Sequence, residues 1–332
     1  MEIVMKKTVL SAAIFAALAS TNVSAAEVYN NETSKVDIYG KIQGMYYAGD
    51  KLVDGDESYF RLGVKAKSEI NANLEAFGRF EVEYAADKDD DVDVRLGYAG
   101  LGSDYGALSY GRQYGAYTLV ADFTDVLYEF GGDASGTGTD QFGTGKADSL
   151  LKYAIEVNNF AFEANYQLDN DKEGDDMTSY GLAAVYTFDF GLGFGVAHNA
   201  GERATGLDDS SMTALAVKYE NNGIYAAFLY SLGENFNKAE DFNADNTAME
   251  AALGYEFANG FSVLAGYNVQ ETDVKGNNVK FDNVDYYTVG AEYKFNKNFK
   301  VFAEYLINNA ESADVGKKDA EDVLAIAAVY KF

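Results

Sequence analysis

Apolar and polar residues alternate with a period of two along many stretches of the chain. In residues 160–168 the even-numbered positions are Phe, Phe, Ala, Tyr and Leu, and the polar residues Glu163, Asn165 and Gln167 stand between them. This alternation predicts β-strands with one apolar and one polar face. A soluble antiparallel sheet gives the same pattern, but these stretches approach the roughly 9–11 residues of a tilted transmembrane strand, and several carry repeated charges on the polar face. The pattern therefore favours a barrel with lipid outside and water inside.

Sixteen such stretches occur, and an even number is what a single-chain bacterial barrel requires. Short turns rich in Asn and Gly alternate with long acidic loops, as on the two rims of an outer-membrane barrel. No linker interrupts the series. We predict an all-β fold, a 16-stranded antiparallel transmembrane β-barrel of one domain (26–332), in which the last strand pairs with the first. The predicted strands are 36–47, 58–68, 74–85, 92–100, 106–114, 149–157, 160–168, 180–189, 192–199, 212–220, 224–232, 248–257, 261–270, 285–295, 299–307 and 322–332.

The third long connection, residues 115–146, is the longest interruption of the strand series. Loops of this length are uncommon unless they are functional or disordered. Its first half is too apolar to lie in water, with Leu119, Val120, Phe123 and Phe130 among its residues. We therefore predict that this third loop folds into the pore, with its two acids, Asp125 and Glu129, facing the water.

Residues 1–25 are predicted to be a secretory signal that is removed. Lys6 and Lys7 precede an apolar run over residues 8–19, and Val23-Ser24-Ala25 is a small-residue cleavage site. The apolar run is too short for a membrane helix, which needs about 20 residues. Met5 is a second candidate start after Met1. The chain is expected to be exported, and with no cysteine it has neither disulfides nor thiolate chemistry.

The formal charge of the 332-residue chain is −27. Residues 1–25 carry Lys6, Lys7 and Glu2, a net +1, so the remainder has a charge of −28. Such an acidic protein is not expected to bind nucleic acid. Any charge selection by its pore should favour cations.

Strand parity predicts which charges face the lumen. Apolar residues facing outward place Lys41 on the first strand and Arg61 on the second strand inside. On the fourth strand, Leu96 and Tyr98 are predicted to face out and Arg95 to face in. Basic residues of neighbouring strands would then share one stretch of inner wall.

Several segments resemble the trimeric general porins of Gram-negative outer membranes. They are AEVYN (26–30), KVDIYGK (35–41), RLG (61–63), RLGYAGL (95–101), YGRQYG (110–115), EFGGD (129–133) and the terminal Phe332, and the similarity covers essentially the whole of residues 26–332. The resemblance implies a homotrimer in outer-membrane lipid and lipopolysaccharide. It implies passive passage of ions and small hydrophilic solutes through a water-filled pore, without a cofactor, a metal or an enzymatic activity.

The same resemblance implies the residues of the pore constriction. Carried over by position, Asp125 and Glu129 are the acids of the third loop, and Arg61, Arg95, Lys146 and Lys41 form the basic cluster on the wall. Two departures from the family stand out. Tyr128 replaces the proline that usually precedes EFGG, and the second loop, at residues 87–91, is short.

Three alternatives follow from other residues. A barrel hydrolase would need a catalytic histidine, but the one histidine, His198, has no evident partner in the sequence. The acidic run at residues 87–93 lacks the Gly and Glu positions of a calcium loop. A substrate-specific channel or an adhesion barrel is the remaining alternative, although no continuous aromatic track lines the predicted lumen.

Overall fold

The computed structural model describes residues 26–49, 54–86, 92–137, 140, 142–168, 178–203, 207–236, 242–276, 279–310 and 321–332. The predicted signal (1–25) and the second loop at 87–91 lie outside these residues, so the structure does not bear on either. Among the described residues, no helix is long and apolar enough to cross a membrane.

Strands make up most of the described chain. Sixteen of them have 8 to 16 residues, as predicted from the alternation, and two are short. One short helix, α1, lies between β7 and β8. The elements are β1 Ala26–Asn30, β2 Ser34–Ala48, β3 Gly55–Asp56, β4 Tyr59–Asn71, β5 Leu74–Ala85, β6 Val92–Ser103, β7 Gly106–Tyr114, α1 Thr118–Ala121, β8 Lys146–Val157, β9 Phe160–Gln167, β10 Ser179–Thr187, β11 Leu192–Gly201, β12 Ser210–Asn221, β13 Ile224–Glu234, β14 Ala244–Glu256, β15 Phe261–Val274, β16 Val279–Lys294, β17 Phe299–Asn308 and β18 Val323–Lys331.

The long strands close into an antiparallel barrel. Each pairs with the next along the chain, and β18 pairs with β2, so Lys331 lies opposite Lys41. The backbone of the terminal Phe332 continues this ladder, because its N–H donates to the carbonyl of Gly40 and its carbonyl accepts from the Gly40 N–H. The prediction of a 16-stranded closed barrel is confirmed, and among the described strands no long edge is left open.

The two rims differ as the sequence predicts. At one end of the barrel, a tight turn follows each even-numbered strand from β4 to β16. An example is Asn222-Gly223 between β12 and β13, where both residues have positive φ. This end is called the short-turn rim and the other the long-loop rim. At the long-loop rim, β15 and β16 extend further than predicted, since Val274 still pairs with Val279.

The outer face of the barrel is apolar. Side chains such as Phe80, Leu215 and Val289 are 50–58% exposed there, which would be costly in water but suits a lipid environment. Near the short-turn rim, Phe and Tyr rings contact one another and form an aromatic girdle, although the chain has no Trp. The girdle contacts include Tyr186–Phe188, Phe188–Phe194, Tyr255–Phe257, Tyr293–Phe295 and Phe295–Phe299.

A β-bulge changes the predicted parity of β6. Glu81 pairs with Leu96 while Val82 pairs with Val94, so Arg95 is an extra residue without a partner on β5. As a result, Leu96 is 2% exposed and faces inward, and Tyr98 contacts the inward-facing ring of Phe77. The prediction that Leu96 and Tyr98 face out was therefore wrong, because period-two counting fails across a bulge.

Candidate pore constriction

The third loop (described residues 115–137, 140 and 142–145) leaves the wall after β7 and contacts inward-facing side chains of strands β10 to β17. Its first part packs against the inner wall of β10 to β13, where small side chains leave room for it. Val120 and Phe123 are at most 4% exposed and belong to one cluster with Ala183, Ala197 and Ala214. This apolar packing explains why the first half of the loop is hydrophobic.

Two wall carboxylates hold the loop in place. Glu250, which is 1% exposed, accepts hydrogen bonds from the Thr124 hydroxyl (2.5 Å) and from the Ser135 N–H (2.6 Å). Glu304, also 1% exposed, accepts from the N–H of Glu129 at 2.7 Å. The loop is thus fixed before its tip at Thr124, after its tip at Ser135, and at the tip itself through Glu129.

The tip of the loop is further fixed by aromatic contacts. Tyr128 stacks on Phe302 of β17 with ring centroids 5.7 Å apart, and its hydroxyl is 3.0 Å from that of Ser262. Phe130 packs against Tyr47 of β2 at 5.5 Å. Tyr128 therefore gives the tip a packing contact at the position where the resembling family has proline.

Glu129 faces the lumen from the loop tip. Its carboxylate accepts hydrogen bonds from the Tyr47 hydroxyl (2.8 Å) and the Gln43 amide (3.2 Å). Enclosure within the barrel raises the pKa of Glu129, while the Tyr47 hydrogen bond and the charge of Lys41 oppose that rise.

Asp125 shortly precedes the tip of the loop and is exposed to the lumen. Enclosure by the barrel raises its pKa, repulsion from Asp133 adds to the rise, and Lys146 opposes it. Gly132 approaches Asp125 closely: a β-carbon built on this glycine would lie 3.0 Å from the Asp125 carboxyl carbon. Gly132 also has a φ of 70°, a conformation that L side chains rarely adopt. Both facts account for a glycine at this position.

The four predicted wall cations, Lys41, Arg61, Arg95 and Lys146, form one cluster, called the wall patch. Lys41 and Arg61 are register partners on β2 and β4. Lys146 at the start of β8 interacts electrostatically with both arginines. In the part of the chain that the structure describes, neither Lys41 nor Lys146 forms an ion pair. The Lys41 ammonium instead donates to Gln43 at 3.0 Å and to the hydroxyl of Tyr59.

Sequence reasoning missed the partners of the arginines. Glu83 pairs with Arg61, and Glu81 accepts from Arg95 at 2.9 Å. Arg79 lies 3.0 Å from Glu81 as well, and the Tyr39 hydroxyl donates to the same carboxylate at 2.6 Å. The alternation along β5 signals that these side chains face inward, but only the register of β4, β5 and β6 brings them together.

Electrostatic interactions link the six predicted site residues, and they are attractive between the loop acids and the lysines and repulsive among the wall cations. Asp125 interacts with Lys146, Lys146 with both arginines, Arg61 with Lys41, and Lys41 with Glu129. Between the loop acids and the wall patch, no ion pair within 4.0 Å is found among the described residues. Glu129 instead reaches the wall through Gln43, which donates to its carboxylate and accepts from the Lys41 ammonium.

The remaining sequence candidates lie elsewhere. His198 is on the outer face of β11, with its Nδ1 atom 2.9 Å from the Thr213 hydroxyl. Arg112 pairs with Asp148 at 2.8 Å. Within the described residues, no group of three His, Asp or Glu side chains is arranged to hold a metal ion.

Comparisons with known proteins agree with this architecture. The model of the Gram-negative porin family matches residues 31–332. The chain is 35% identical to the outer membrane porin protein OmpD of Salmonella typhimurium and to the outer membrane porin PhoE of Citrobacter freundii, over 99% of this chain and 100% of each relative.

Solved structures show the same fold. The structure of Salmonella typhi OmpF in complex with daunomycin is similar with a TM-score of 0.82 and 27% identity, covering 92% of this chain and all of the other. OmpT of Vibrio cholerae shares the fold with a TM-score of 0.74 at 23% identity, over 91% of this chain and all of OmpT. The chain belongs to the Gram-negative porin family and is a β-barrel channel of the outer membrane.

Proposed function

We propose that the chain is a general diffusion porin, through which ions and small hydrophilic solutes pass without a specific binding step. The observation that carries this proposal is the third loop crossing the lumen, with Asp125 and Glu129 near the wall patch but not in ion-pair contact with it. Glu129 is hydrogen-bonded to Gln43 and Tyr47 of the β2 wall, so water and solutes pass beside it, between the loop and the rest of the wall patch. Asp125, Glu129, Arg61, Arg95, Lys146 and Lys41 are the residues of this constriction.

Opposite charges across such a gap steer permeating ions. At a separation of about 10 Å in a water-like medium, a pair of unit charges interacts by only about 0.4 kcal/mol. This energy biases passage and is too small to trap an ion. The pore is therefore weakly selective, limited by solute size and biased by charge.

We propose that the bias favours cations. The chain carries a formal charge of −27, and the arginines of the wall already have Glu81 and Glu83 as partners. The reversal potential of the reconstituted protein in a gradient of potassium chloride tests this. A potential of the sign expected for potassium permeation supports the proposal, and a potential of the opposite sign would contradict it.

A liposome swelling assay separates a general pore from a substrate-specific channel or an adhesion barrel. Swelling rates for unrelated neutral sugars and amino acids should fall smoothly with solute size. One solute that enters far faster than others of its size would indicate a specific channel, and no swelling at all would favour a closed barrel with an adhesive role.

We also propose that the chain works as a homotrimer embedded in lipid and lipopolysaccharide, and that residues 1–25 are removed as a signal. The continuous apolar outer face supports contact with lipid and with neighbouring copies. Light scattering of the detergent-solubilised protein should give three copies per particle, and mass spectrometry should give an N-terminus at Ala26. A single copy or a retained leader would contradict these two points.

A further inference from the structure

Five inward-facing cations lie side by side on five neighbouring strands, from the wall patch towards the short-turn rim. This cation row consists of Lys294 on β16, Lys300 on β17, Lys331 on β18, Lys41 on β2 and Arg61 on β4. We propose that the three lysines of this row nearest the short-turn rim, Lys294, Lys300 and Lys331, form a binding site for polyvalent phosphate oxyanions that enter from that rim.

The strand register places like charges directly opposite one another. Lys331 pairs with Lys41, and Lys41 pairs with Arg61. Lys294 and Lys300 are likewise opposite each other on β16 and β17. Like charges in directly opposed positions destabilise a sheet. The cation row has three such contacts, and a bound anion would stabilise the barrel by offsetting the repulsion between the paired cations.

The carboxylates near the row balance only part of it. Glu256 lies 3.2 Å from the Lys294 ammonium, and Glu292 pairs with Lys300. Lys331 has no ion pair within the described residues, although it interacts with Lys300, Lys294 and Arg61. The uncompensated charge is therefore centred on Lys331, between the paired lysines and the wall patch.

These three lysines line a large open cavity between the third loop and the short-turn rim. The cavity has a volume of about 1,360 Å³, and on the side of the third loop it is bounded by Val126, Leu127 and Tyr128. Lys300 also lies 5.9 Å from the ring centroid of Tyr128. The turns at this rim bring the side-chain amides of Asn222 and Asn296 to the lining, while those of Asn221 and Asn298 already donate to the carbonyls of Phe190 and Lys331.

The chemistry of the row selects the ligand class. Lysine ammonium groups bind phosphates as mobile point charges and do not require the planar geometry that arginine imposes. The attraction scales with ligand charge, so a phosphate or polyphosphate is held several times more strongly than chloride. The site lies inside the lumen, so the ligand is a dissolved oxyanion.

The test uses sodium tripolyphosphate with the full protein in a planar bilayer bathed in sodium chloride. Tripolyphosphate should reduce the open-channel current at lower concentration from one chamber than from the other. Lys331→Gln should raise the half-blocking concentration on that side at least about fivefold, which corresponds to one lost unit charge against a divalent group at about 8 Å. Lys331→Arg should keep the block, because it keeps the charge.

Lys218→Gln is the matched control, because Lys218 is also an inward-facing lysine without an ion pair in the described residues but lies on β12, outside the row. It should leave the block unchanged. A block that is equal from both chambers, or equal in wild type and Lys331→Gln, would overturn the proposal.

A second measurement does not depend on conduction. The phosphorus-31 line width of tripolyphosphate should increase with detergent-solubilised wild-type protein and much less with Lys331→Gln. Equal broadening by both proteins would also overturn the site. Either result leaves the proposal of a diffusion pore standing, since that depends on the conductance in sodium chloride alone.

Discussion

At the scale of single residues, the arginines of the wall patch act together with acidic partners. Arg61 and Arg95 share Glu83, and Arg95 and Arg79 share Glu81. Much of the arginine charge is thus balanced within the wall. The field that a permeating ion meets therefore depends on the acids of β5 as well as on the acids of the loop.

Neutralising one of these partners should expose the arginine charge. Glu83→Gln is expected to lower the cation preference by an amount comparable to the loss of one loop acid, since both changes remove one negative charge from the constriction. The reversal potential in a salt gradient measures the effect. Glu271→Gln is the control, because Glu271 pairs with Lys280 in the outer part of the barrel. An equal shift in both variants would contradict a local role of Glu83.

Gly132 is expected to be intolerant of a side chain. Gly132→Ala places a residue with a β-carbon at a φ of 70° and against the Asp125 carboxyl, at a cost of about 1–2 kcal/mol. Asp125 should shift, and single-channel conductance and ion preference should both change. Gly44→Ala is the control, since no atom lies within 4 Å of its added β-carbon. Unchanged conductance in Gly132→Ala would show that the loop absorbs the strain elsewhere.

At the scale of elements, the third loop is a separate packed unit inside the barrel. One side is fixed by the apolar cluster around Val120 and Phe123, and the other by Glu250 and Glu304. The position of the constriction acids therefore depends on buried contacts made by other residues of the same loop.

Glu250→Gln should loosen the loop. A glutamine can accept from only one oxygen, so either the Thr124 hydroxyl or the Ser135 N–H loses its acceptor, at a cost of about 1–3 kcal/mol. We expect larger fluctuations of the open-channel current with little change in barrel stability. Glu234→Gln, at the exposed end of β13, should leave the current as steady as in wild type. Steady current in Glu250→Gln would argue against this anchor.

The strands could be predicted from the sequence, but the wall contacts that hold the third loop could not. Alternation of period two depends on local sequence alone, so the sixteen strands were correctly predicted. Leu96 and Tyr98 were misplaced because a single extra residue, Arg95, reverses the parity of β6. Glu250 meets Thr124 across 126 positions of sequence, and no local pattern encodes such a contact.

The site residues could be named from the sequence, but their partners on the wall could not. Lys41, Arg61, Arg95, Lys146, Asp125 and Glu129 were placed by family resemblance, and the structure brings them into one electrostatic network. Their role in conduction stays a prediction. Sequence parity could suggest that Glu81 and Glu83 face inward, but it could not assign them to particular arginines.

At the scale of the whole molecule, the acidic charge makes selectivity dependent on pH. The pKa values of Asp125, Glu129 and Asp133 are raised, so these carboxylates take up protons at a higher pH than ordinary carboxyls, which titrate near pH 4. Each proton removes one negative charge from the loop. Cation preference should therefore fall as the pH is lowered, beginning above the ordinary carboxyl range, while the arginines stay charged.

Reversal potentials measured at steps from pH 8 to pH 4 check this expectation. The decline should be shifted to lower pH, or largely lost, in Asp125→Asn/Glu129→Gln. A cation preference that is constant down to pH 4 would contradict it.

The most direct test of the account compares the reversal potential of wild type with that of Asp125→Asn/Glu129→Gln in a gradient of potassium chloride, with channel conductance recorded in the same bilayers. The two substitutions keep the size of the side chains and remove two negative charges from the constriction. We predict a cation-preferring wild type and a variant that stays open with a clearly reduced cation preference. Identical reversal potentials in the two proteins would contradict the claim that the third loop sets the charge selection of the pore.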